Sequence, residues 1–546
     1  MQNPNLRFPH SEISSSRRSP RTSQTQRKYR KFLLRMGNDI GRVSLQRRLT
    51  CLKRYQSRLA IMGALSYLGA DKDLLAQNQC TVASEVLVNQ ETSSFQANAD
   101  VAMDADGNYV VVWQSSGNAE DPSDIGVFLR RYSAAGAPLS GDVLVNQETS
   151  SDQSNPSVAM DADGDFVVVW QSNGNVEDQS SYGVFMRRYS AAGVASNEVL
   201  VNQRTTFSQS NASVAMDDDG DFVVVWQSSG HPLDQSGLGV FARRYDATGA
   251  PLSNEFLVNQ ETFYNQLRAD VGMDADGDFV VTWQSDGNNM EDPSLYGVFA
   301  RIYDAAGAPS DEFLVNQQTL SNQRFASVAM DADGDFVVVW QSSGNMEDPS
   351  VFGVFARRYD AAGVPLADEV LVNQETASYQ VLADVAMDAN GDFAVVWQSY
   401  GNMEDQSIYG VFQRRYSAVG VPLTDELLVN QETSQNQFNA AVAMDPDGDF
   451  VVVWQSDGNT EDQSGWGIFQ RRYFDCCTPA YSAAAGNQLM GTIMGDQAYQ
   501  AASLIESVQQ LDGGDIHYDA GECVELLQGF EVKGGTMFEV TMDGCQ

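Results

Sequence analysis

The feature that most constrains this chain is a tryptophan that recurs at an almost constant interval. It lies each time in nearly the same stretch, which reads MDADGDFVVVWQS at positions 330–342, and successive copies are 56 or 57 residues apart. The seven copies are Trp113, Trp170, Trp226, Trp283, Trp340, Trp397 and Trp454. A fixed internal period indicates one supersecondary unit per repeat, with neighbouring units stacked so that they bury a common core.

Each repeat contains four segments that predict β-strands. In the fifth repeat they read SVAMD, DFVVVWQS, GVFARRYD and EVLVNQ, and short polar or glycine-containing turns separate them. The second segment is apolar on both faces, which indicates a strand that is covered on both sides. Four strands per repeat are typical of a propeller blade. We therefore predict an all-β fold, a seven-bladed β-propeller with four-stranded blades.

The two ends of the repeat region predict how the ring closes. The LVNQ segment occurs once before the first tryptophan and is missing after the last one. The N-terminal copy is therefore expected to form the outermost strand of the last blade, which removes the free sheet edges. The predicted propeller spans residues 82–475, and residues 476–546 form a small C-terminal β-rich module.

Residues 1–81 are predicted to be a basic leader. Residues 1–58 contain 15 Lys or Arg and only two acids, and an apolar run follows at 59–70. An apolar run of this length is too short to cross a bilayer, but it suits the core of a signal peptide. We predict an extracellular or cell-surface location and no transmembrane segment. The alternative is a disordered basic tail followed by a short helix.

The overall charge limits the partners of the protein. The chain carries a formal net charge of −40 in spite of its basic N-terminus. A body this acidic repels phosphate backbones, so we expect no nucleic-acid partner. The expected partner is an extracellular glycan or a protein.

The positions of the cysteines match the predicted closure. Cys80 lies where the ring begins, and Cys476 and Cys477 lie where it ends. Because closure brings these ends together, we predict a disulfide between Cys80 and either Cys476 or Cys477. A second bond is predicted between Cys523 and Cys545. Such bonds suit an oxidising location outside the cytoplasm, and free thiols are the alternative.

The acidic stretch DADGD has two interpretations. Asp331, Asp333 and Asp335 alternate as the oxygen ligands of a calcium loop do. An EF-hand loop, however, needs glycine at its sixth position and an acid at its twelfth, whereas this stretch has glycine fourth and Ser342 twelfth. Asp-Gly between two strands predicts a tight hairpin turn. We predict no metal site and no cofactor, with weak calcium binding as the alternative.

The candidate ligand-binding residues lie on the opposite face, in the loops between the second and third strands and in the crossovers between blades. Each loop has an Asp and a Ser two positions apart, namely Asp121 and Ser123, Asp178 and Ser180, Asp234 and Ser236, Asp292 and Ser294, Asp348 and Ser350, Asp405 and Ser407, and Asp462 and Ser464. Each crossover has a glutamine, namely Gln96, Gln153, Gln209, Gln266, Gln323, Gln380 and Gln437. Five loops also end in an aromatic residue, namely Tyr182, Tyr296, Phe352, Tyr409 and Trp466.

These residue types suit a neutral polar ligand such as a sugar, and loops on a rigid scaffold commonly bind ligands. In the alternative interpretation, Asp and Ser satisfy backbone N–H groups of their own loops, and the glutamines tie neighbouring blades together.

Enzymatic chemistry has little support in the sequence. The three histidines, His10, His231 and His517, are far apart along the chain. A single active site needs particular residues on particular blades, whereas these repeats are nearly identical. We therefore predict no catalytic residues and no enzyme activity.

Two stretches resemble known families. The repeat, with DADGDFVVVWQS followed by GVFARRYD, is similar to the repeats of many bacterial secreted proteins. Residues 516–545, with IHYDAGECVELLQGFEVKGGTMFEVTMDGC, resemble the C-terminal modules of secreted adhesin-like surface proteins of Bacteroidota. These resemblances imply location and architecture and provide no catalytic residues. We predict a secreted or cell-surface binding or adhesion module. An extracellular hydrolase acting on polysaccharide and a purely structural surface domain are the alternatives.

Overall fold

The computed structural model describes residues 83–474 and, outside this range, only the backbone of the strands named below. Within the range there are short gaps at 122–123, 176, 179–180, 235–236, 288–291, 293, 345–346, 349–350, 403, 406, 459–460 and 463. The predicted leader and signal peptide lie outside the described residues. The described residues form strands and turns only, so they include no helix that could cross a membrane.

Seven antiparallel four-stranded sheets follow one another around a ring, which confirms the predicted seven-bladed β-propeller. The first, innermost strands are Phe95–Met103, Gln153–Met160, Gln209–Met216, Asn265–Met273, Gln323–Met330, Tyr379–Met387 and Gln437–Met444. The second strands are Tyr109–Ser116, Phe166–Asn173, Phe222–Ser229, Phe279–Asp286, Phe336–Ser343, Phe393–Tyr400 and Phe450–Asp457. The third strands are Ile125–Tyr132, Tyr182–Tyr189, Leu238–Tyr245, Tyr296–Tyr303, Phe352–Tyr359, Tyr409–Tyr416 and Trp466–Phe474. The fourth strands of blades 1 to 6 are Val143–Leu144, Val199–Leu200, Phe256–Leu257, Phe313–Leu314, Val370–Leu371 and Leu427–Leu428.

The fourth strand of blade 7 comes from the N-terminal side of the repeats, as predicted. Strand Val86–Leu87 pairs antiparallel with Trp466–Phe474. A further strand, Cys80–Thr81, pairs with the same partner and places the backbone of Cys80 opposite Phe474. The other cysteines of the predicted disulfides, Cys476, Cys477 and Cys545, lie outside the described residues. The two disulfides therefore stay predictions.

In the C-terminal region, the residues that the structure describes form nine short strands in three parallel ladders. Its strands are Gln488–Leu489, Thr492–Met494, Gln497–Ala501, Leu504–Ser507, Gln510–Asp512, Asp515–Ala520, Cys523–Leu526, Glu531–Val532 and Met537–Thr541. Each of three successive coils contributes one strand to each ladder. The described strands thus follow the pattern of a short parallel β-solenoid, and the module bounds at 476–546 stay a prediction.

The core of the propeller lies between neighbouring blades. One buried cluster joins Val111 and Trp113 of blade 1 to Val451 and Val453 of blade 7. Trp113 also stacks on Phe128 of its own blade, with ring centroids 6.4 Å apart. All seven repeat tryptophans are at most 1% exposed. Burial against a blade on each side explains why the second strands are apolar on both faces.

An arginine in the third strand links every blade to the preceding one. In blade 5, Nη1 of Arg357 donates a hydrogen bond of 2.8 Å to the carbonyl oxygen of Val315 in blade 4. The equivalent donors are Arg130, Arg187, Arg243, Arg301, Arg414 and Arg471. Hydrogen bonds from a charged donor are stronger than neutral ones, so these contacts stabilise the ring.

The acidic stretch forms the predicted hairpin turn between the first and second strands. In blade 5, Oδ1 of Asp331 accepts hydrogen bonds from the backbone N–H groups of Asp333 at 3.0 Å and Asp335 at 2.9 Å. Gly334 has a φ of +86°, which favours glycine over any residue with a Cβ. Oδ1 of Asp335 accepts the N–H of Ala361 in the next turn of the same blade. These carboxylates therefore hold the turn together.

Candidate functional site

We call the side of the ring that carries the crossovers and the loops between second and third strands the crossover face. The aspartates predicted there as ligand-binding residues are only 1–4% exposed. In blade 5, Oδ2 of Asp348 accepts a hydrogen bond of 2.8 Å from the amide of Asn373, whose own Oδ1 accepts the N–H of Val354. The equivalent bonds in all seven blades are 2.6–2.8 Å long. The aspartates thus anchor the crossovers to the third strands.

The seven crossover glutamines that were predicted to bind a ligand are at most 1% exposed. In blade 5, Oε1 of Gln323 accepts the indole N–H of Trp340 at 3.2 Å, and its Nε2 donates to backbone carbonyl oxygens of the crossover. The same indole bond forms in every blade except blade 3. There, Gln209 donates to Ser228 instead. Each glutamine therefore joins a crossover to a buried tryptophan.

Of the seven serines that were predicted to bind a ligand, the structure describes three. Each of them forms hydrogen bonds within its own loop. Oγ of Ser407 donates to Oδ1 of Asp405 at 2.5 Å, and Ser464 bonds to Asp462 in the same way. Oγ of Ser294 donates to the carbonyl oxygen of Tyr296. Ser123, Ser180, Ser236 and Ser350 lie outside the described residues. Ligand binding by these Asp, Ser and Gln residues stays a prediction, and the contacts in the structure are internal ones.

The first strands carry a feature that the sequence analysis missed. Each strand has a β-bulge whose residue adopts a left-handed backbone, with φ between 47° and 53°. These bulge residues are Asn98, Asn155, Asn211, Arg268, Phe325, Leu382 and Asn439. Asn tolerates such a backbone better than Arg, Phe or Leu does. Three blades thus keep a side chain that the backbone disfavours, and such positions often belong to functional sites.

The backbone of every bulge residue is fixed by the preceding blade. The N–H of Phe325 donates a hydrogen bond of 3.1 Å to Oε1 of Gln284, which lies in the WQS stretch of blade 4. The same bond occurs at all seven junctions, at 3.0–3.3 Å. Because this bond uses only the backbone of the bulge residue, it leaves the side chain free to differ between blades.

The bulge residues surround a pocket of about 370 Å³ in the central channel. Four asparagines come from the consecutive blades 7, 1, 2 and 3, and Nδ2 of Asn98 donates to Oδ1 of Asn155 at 2.8 Å. Blades 4, 5 and 6 contribute Arg268, Phe325 and Leu382, and the guanidinium carbon of Arg268 lies 4.5 Å from the ring centroid of Phe325. One side of the pocket is therefore lined by amides, and the other by a cation and apolar groups.

Three carboxylates lie two residues further along the first strands, at Asp100, Asp270 and Asp384. Burial raises the pKa of Asp100 to about 6. Burial also raises the pKa of Asp384 to about 7, and the charges of Asp270 and Asp100 add to the effect. The pKa of Asp270 is raised by burial too. The other blades have Ser157, Ser213, Ser327 and Ala441 at this position, so this layer of the channel is also asymmetric.

Seven aromatic rings form a continuous row on the crossover face, which we call the aromatic arc. In spatial order they are Phe352, Tyr379, Tyr400, Tyr409, Phe438, Trp466 and Phe95, and adjacent ring centroids are 5.1–6.0 Å apart. They lie near strand ends of blades 5, 6, 7 and 1. Phe95, Tyr379 and Tyr400 are 38–41% exposed. A contiguous row of partly exposed aromatic rings is typical of an interaction site.

Part of this site could have been found from the sequence. Three arc residues, Phe352, Tyr409 and Trp466, belong to the aromatic positions at the ends of the loops. The pocket also has a signal, since the bulge position varies between blades while DFVVVWQS in the next strand hardly changes. The bulge itself has no local signal, so the sequence does not show that these variable residues face one channel.

Among the described residues, no group of three or more His, Cys, Asp or Glu side chains is arranged to hold a metal ion. In the acidic turn of blade 5, Oδ1 of Asp331 and Oδ1 of Asp335 already accept hydrogen bonds from backbone N–H groups. Weak calcium binding at these turns stays a prediction.

Comparison with known proteins shows similarity of fold. No protein-family model matches the chain, and no curated protein sequence matches it. A polysaccharide lyase that acts on ulvan has a TM-score of 0.48 and 10% identity, over 70% of this chain and 95% of the lyase. An α-L-arabinanase from Penicillium chrysogenum, in complex with arabinobiose, has a TM-score of 0.41 and 10% identity, over 59% and 92% of the two chains. An α-L-arabinofuranosidase from Fusarium graminearum has a TM-score of 0.40 and 9% identity, over 58% and 91%.

All three of these similar propellers are enzymes, contrary to the prediction from the sequence that this protein is not one. The premise of that prediction also fails in this chain, since the first strands place different residues around the channel. At about 10% identity the similarity shows a shared fold and assigns no activity to this chain. The resemblance to secreted bacterial repeat proteins and Bacteroidota modules stays a prediction beyond the propeller fold.

The buried Asp–Asn contact gives a first testable prediction. Replacing Asp348 with Ala removes the acceptor for Asn373 and should lower the free energy of unfolding by about 1–3 kcal/mol. Asp333→Ala, at an exposed turn position of the same blade, is the matched control and should change it little. Denaturant unfolding measures both. An Asp348→Ala protein as stable as the control would contradict the structural role, and a selective loss of ligand binding would favour the predicted binding role.

The raised pKa values give a prediction about pH. Folding raises the pKa of Asp100 and Asp217 to about 6 and that of Asp384 and Asp445 to about 7. The folded state then binds more protons than the unfolded state, so stability should fall as pH rises through these values. The thermal midpoint should be higher at about pH 5.5 than at about pH 8, and Asp384→Asn should reduce the difference. A midpoint that is equal or higher at the alkaline pH would contradict this.

Proposed function

We propose that this protein binds a carbohydrate chain on its crossover face, outside the cell. The observation that supports this most is the aromatic arc, a continuous row of partly exposed rings beside the central pocket. The C–H faces of sugar rings pack well on aromatic faces, which provide large apolar area in a rigid form. An arc of seven rings is longer than one sugar, so it favours an oligosaccharide or polysaccharide.

The pocket supplies the polar groups that such a ligand needs. Asn439, Asn98, Asn155 and Asn211 present amide groups, and each amide can both donate and accept hydrogen bonds. Sugar hydroxyl groups have the same dual character. A site with apolar surface and a few convergent polar groups is typical of small-molecule binding.

Cleavage of the bound chain is a second candidate function. The channel aspartates favour it, because carboxyl groups whose pKa lies near neutrality, as those of Asp100 and Asp384 do, suit general acid–base catalysis. Asp100 itself lines the pocket, and pairs of carboxyl groups are the usual machinery of glycoside hydrolysis. Burial and mutual repulsion supply the pKa shifts, as they do in many active sites.

Trp466 provides the test of binding. Trp466→Ala interrupts the arc and should weaken binding about tenfold or more, which corresponds to about 1.4 kcal/mol of lost contact. Val419→Ala, on an exposed apolar residue between the third and fourth strands of blade 6, is the control and should bind as the wild type does. Binding is found on an array of plant, algal and bacterial cell-wall polysaccharides and then titrated by calorimetry. Failure to retain any polysaccharide would overturn the proposal.

The same ligand separates binding from cleavage. Incubation with wild-type protein followed by measurement of new reducing ends detects hydrolysis, and absorbance of new unsaturated ends detects elimination. If cleavage occurs, Asp384→Asn should abolish it while binding persists. If no new ends form, the binding function stands alone.

A further inference from the structure

The arginines of the propeller fall into two groups. Residues 83–474 contain sixteen arginines and no lysine, and thirteen of these arginines occupy the repeated third-strand positions. The remaining three are Arg204, Arg268 and Arg324. Arg204 lies in the crossover into blade 3, Arg268 in the first strand of blade 4, and Arg324 in the first strand of blade 5. The arginines outside the repeat pattern are thus gathered in one sector of the ring.

Arg268 and Arg324 both lie where blades 4 and 5 meet. The guanidinium carbon of Arg268 is 4.5 Å from the ring centroid of Phe325. That of Arg324 is 4.1 Å from the ring centroid of Tyr296. An aromatic ring on one side restricts the guanidinium group and leaves its N–H edges available.

Neither of these two guanidinium groups forms an ion pair or hydrogen bond with any residue that the structure describes. Nε of Arg324 is buried and has no hydrogen-bond partner within the part of the chain that the structure describes. The third-strand arginines differ, since Arg357 and its equivalents donate to backbone carbonyl oxygens. In a chain with a net charge of −40, two arginines that have no acidic partner among the described residues are unexpected, and a buried donor such as Nε of Arg324 is normally satisfied.

We propose that the bound carbohydrate is an anionic one, and that Arg268 and Arg324 receive its carboxylate or sulfate groups. This inference rests on the proposed function and adds the charge of the ligand. The fork of N–H groups in arginine matches the geometry of carboxylates and sulfates and can bind them through two hydrogen bonds.

The remaining charges of the site determine where the anionic group binds. Asp100, Asp270 and Asp384 lie deeper along the first strands and repel an anion from the inner channel. The anionic group is therefore held at the rim beside Phe325 and Tyr296. The aromatic arc starts at Phe352 in blade 5, one of the two blades that form this junction, so the neutral part of the chain extends along the arc.

The test uses pairs of polysaccharides that differ only in charge. Polygalacturonate is compared with its carboxyl-reduced, neutral form, and dextran sulfate is compared with dextran, so that the two pairs distinguish carboxylate from sulfate. Wild-type protein should bind at least one anionic member about tenfold or more tightly than its neutral counterpart. Its overall negative charge opposes this preference, so the preference has to arise from a local site.

Arg268→Gln and Arg324→Gln should each weaken binding of the anionic polysaccharide about tenfold and weaken binding of the neutral one much less. Arg268→Lys should give an intermediate loss, since lysine keeps the charge without the fork of donors. Trp466→Ala should weaken binding of both polysaccharides. Thermal midpoints within the wild-type range confirm that each variant is folded.

Two results would overturn the inference in different ways. Equal binding of charged and neutral partners, unaffected by Arg268→Gln and Arg324→Gln, would overturn the anionic specificity and leave carbohydrate binding intact. No binding of any of the four polysaccharides, together with none on the wider array, would overturn the proposed function and this inference with it.

Discussion

The rest of the structure depends on one hydrogen bond that is repeated at every junction between blades. The side-chain oxygen of the WQS glutamine, such as Gln284, accepts the backbone N–H of the bulge residue in the next blade, such as Phe325. This N–H lies on the channel side of a bulge, where no strand partner can satisfy it, and an unsatisfied buried donor is costly. The bond therefore fixes the innermost strand of each blade against its neighbour.

That arrangement separates the scaffold from the site. Because the junction bond uses the backbone, the scaffold residues can stay nearly identical while the bulge side chains differ from blade to blade. The chain uses this freedom to place four amides on one side of the channel and Arg268, Phe325 and Leu382 on the other. An asymmetric site can thus arise in a ring of almost equivalent units, which is why near-identity of repeats was a poor argument against an active site.

The sequence predicted the architecture well, because its causes are periodic. The tryptophan spacing gave the blade number, the extra LVNQ segment gave the closure, and Asp-Gly gave the hairpin turn. The candidate site was harder to predict because its causes are not local. Asp348 and Gln323 look like exposed loop residues, and they are buried only because a crossover folds over them. Phe95 and Trp466 are neighbours in the arc only because the ring closes.

Carbohydrate binding along the aromatic arc, as we propose it, can be observed directly through Trp466. The chain has eight tryptophans, of which the seven in the repeats are at most 1% exposed, whereas Trp466 is partly exposed in the arc. Acrylamide quenching of tryptophan fluorescence therefore reports mainly on Trp466. A saturating polysaccharide ligand should protect this fluorescence from quenching, because it covers Trp466. Unchanged quenching with the ligand bound would contradict it, because the ligand would then bind elsewhere.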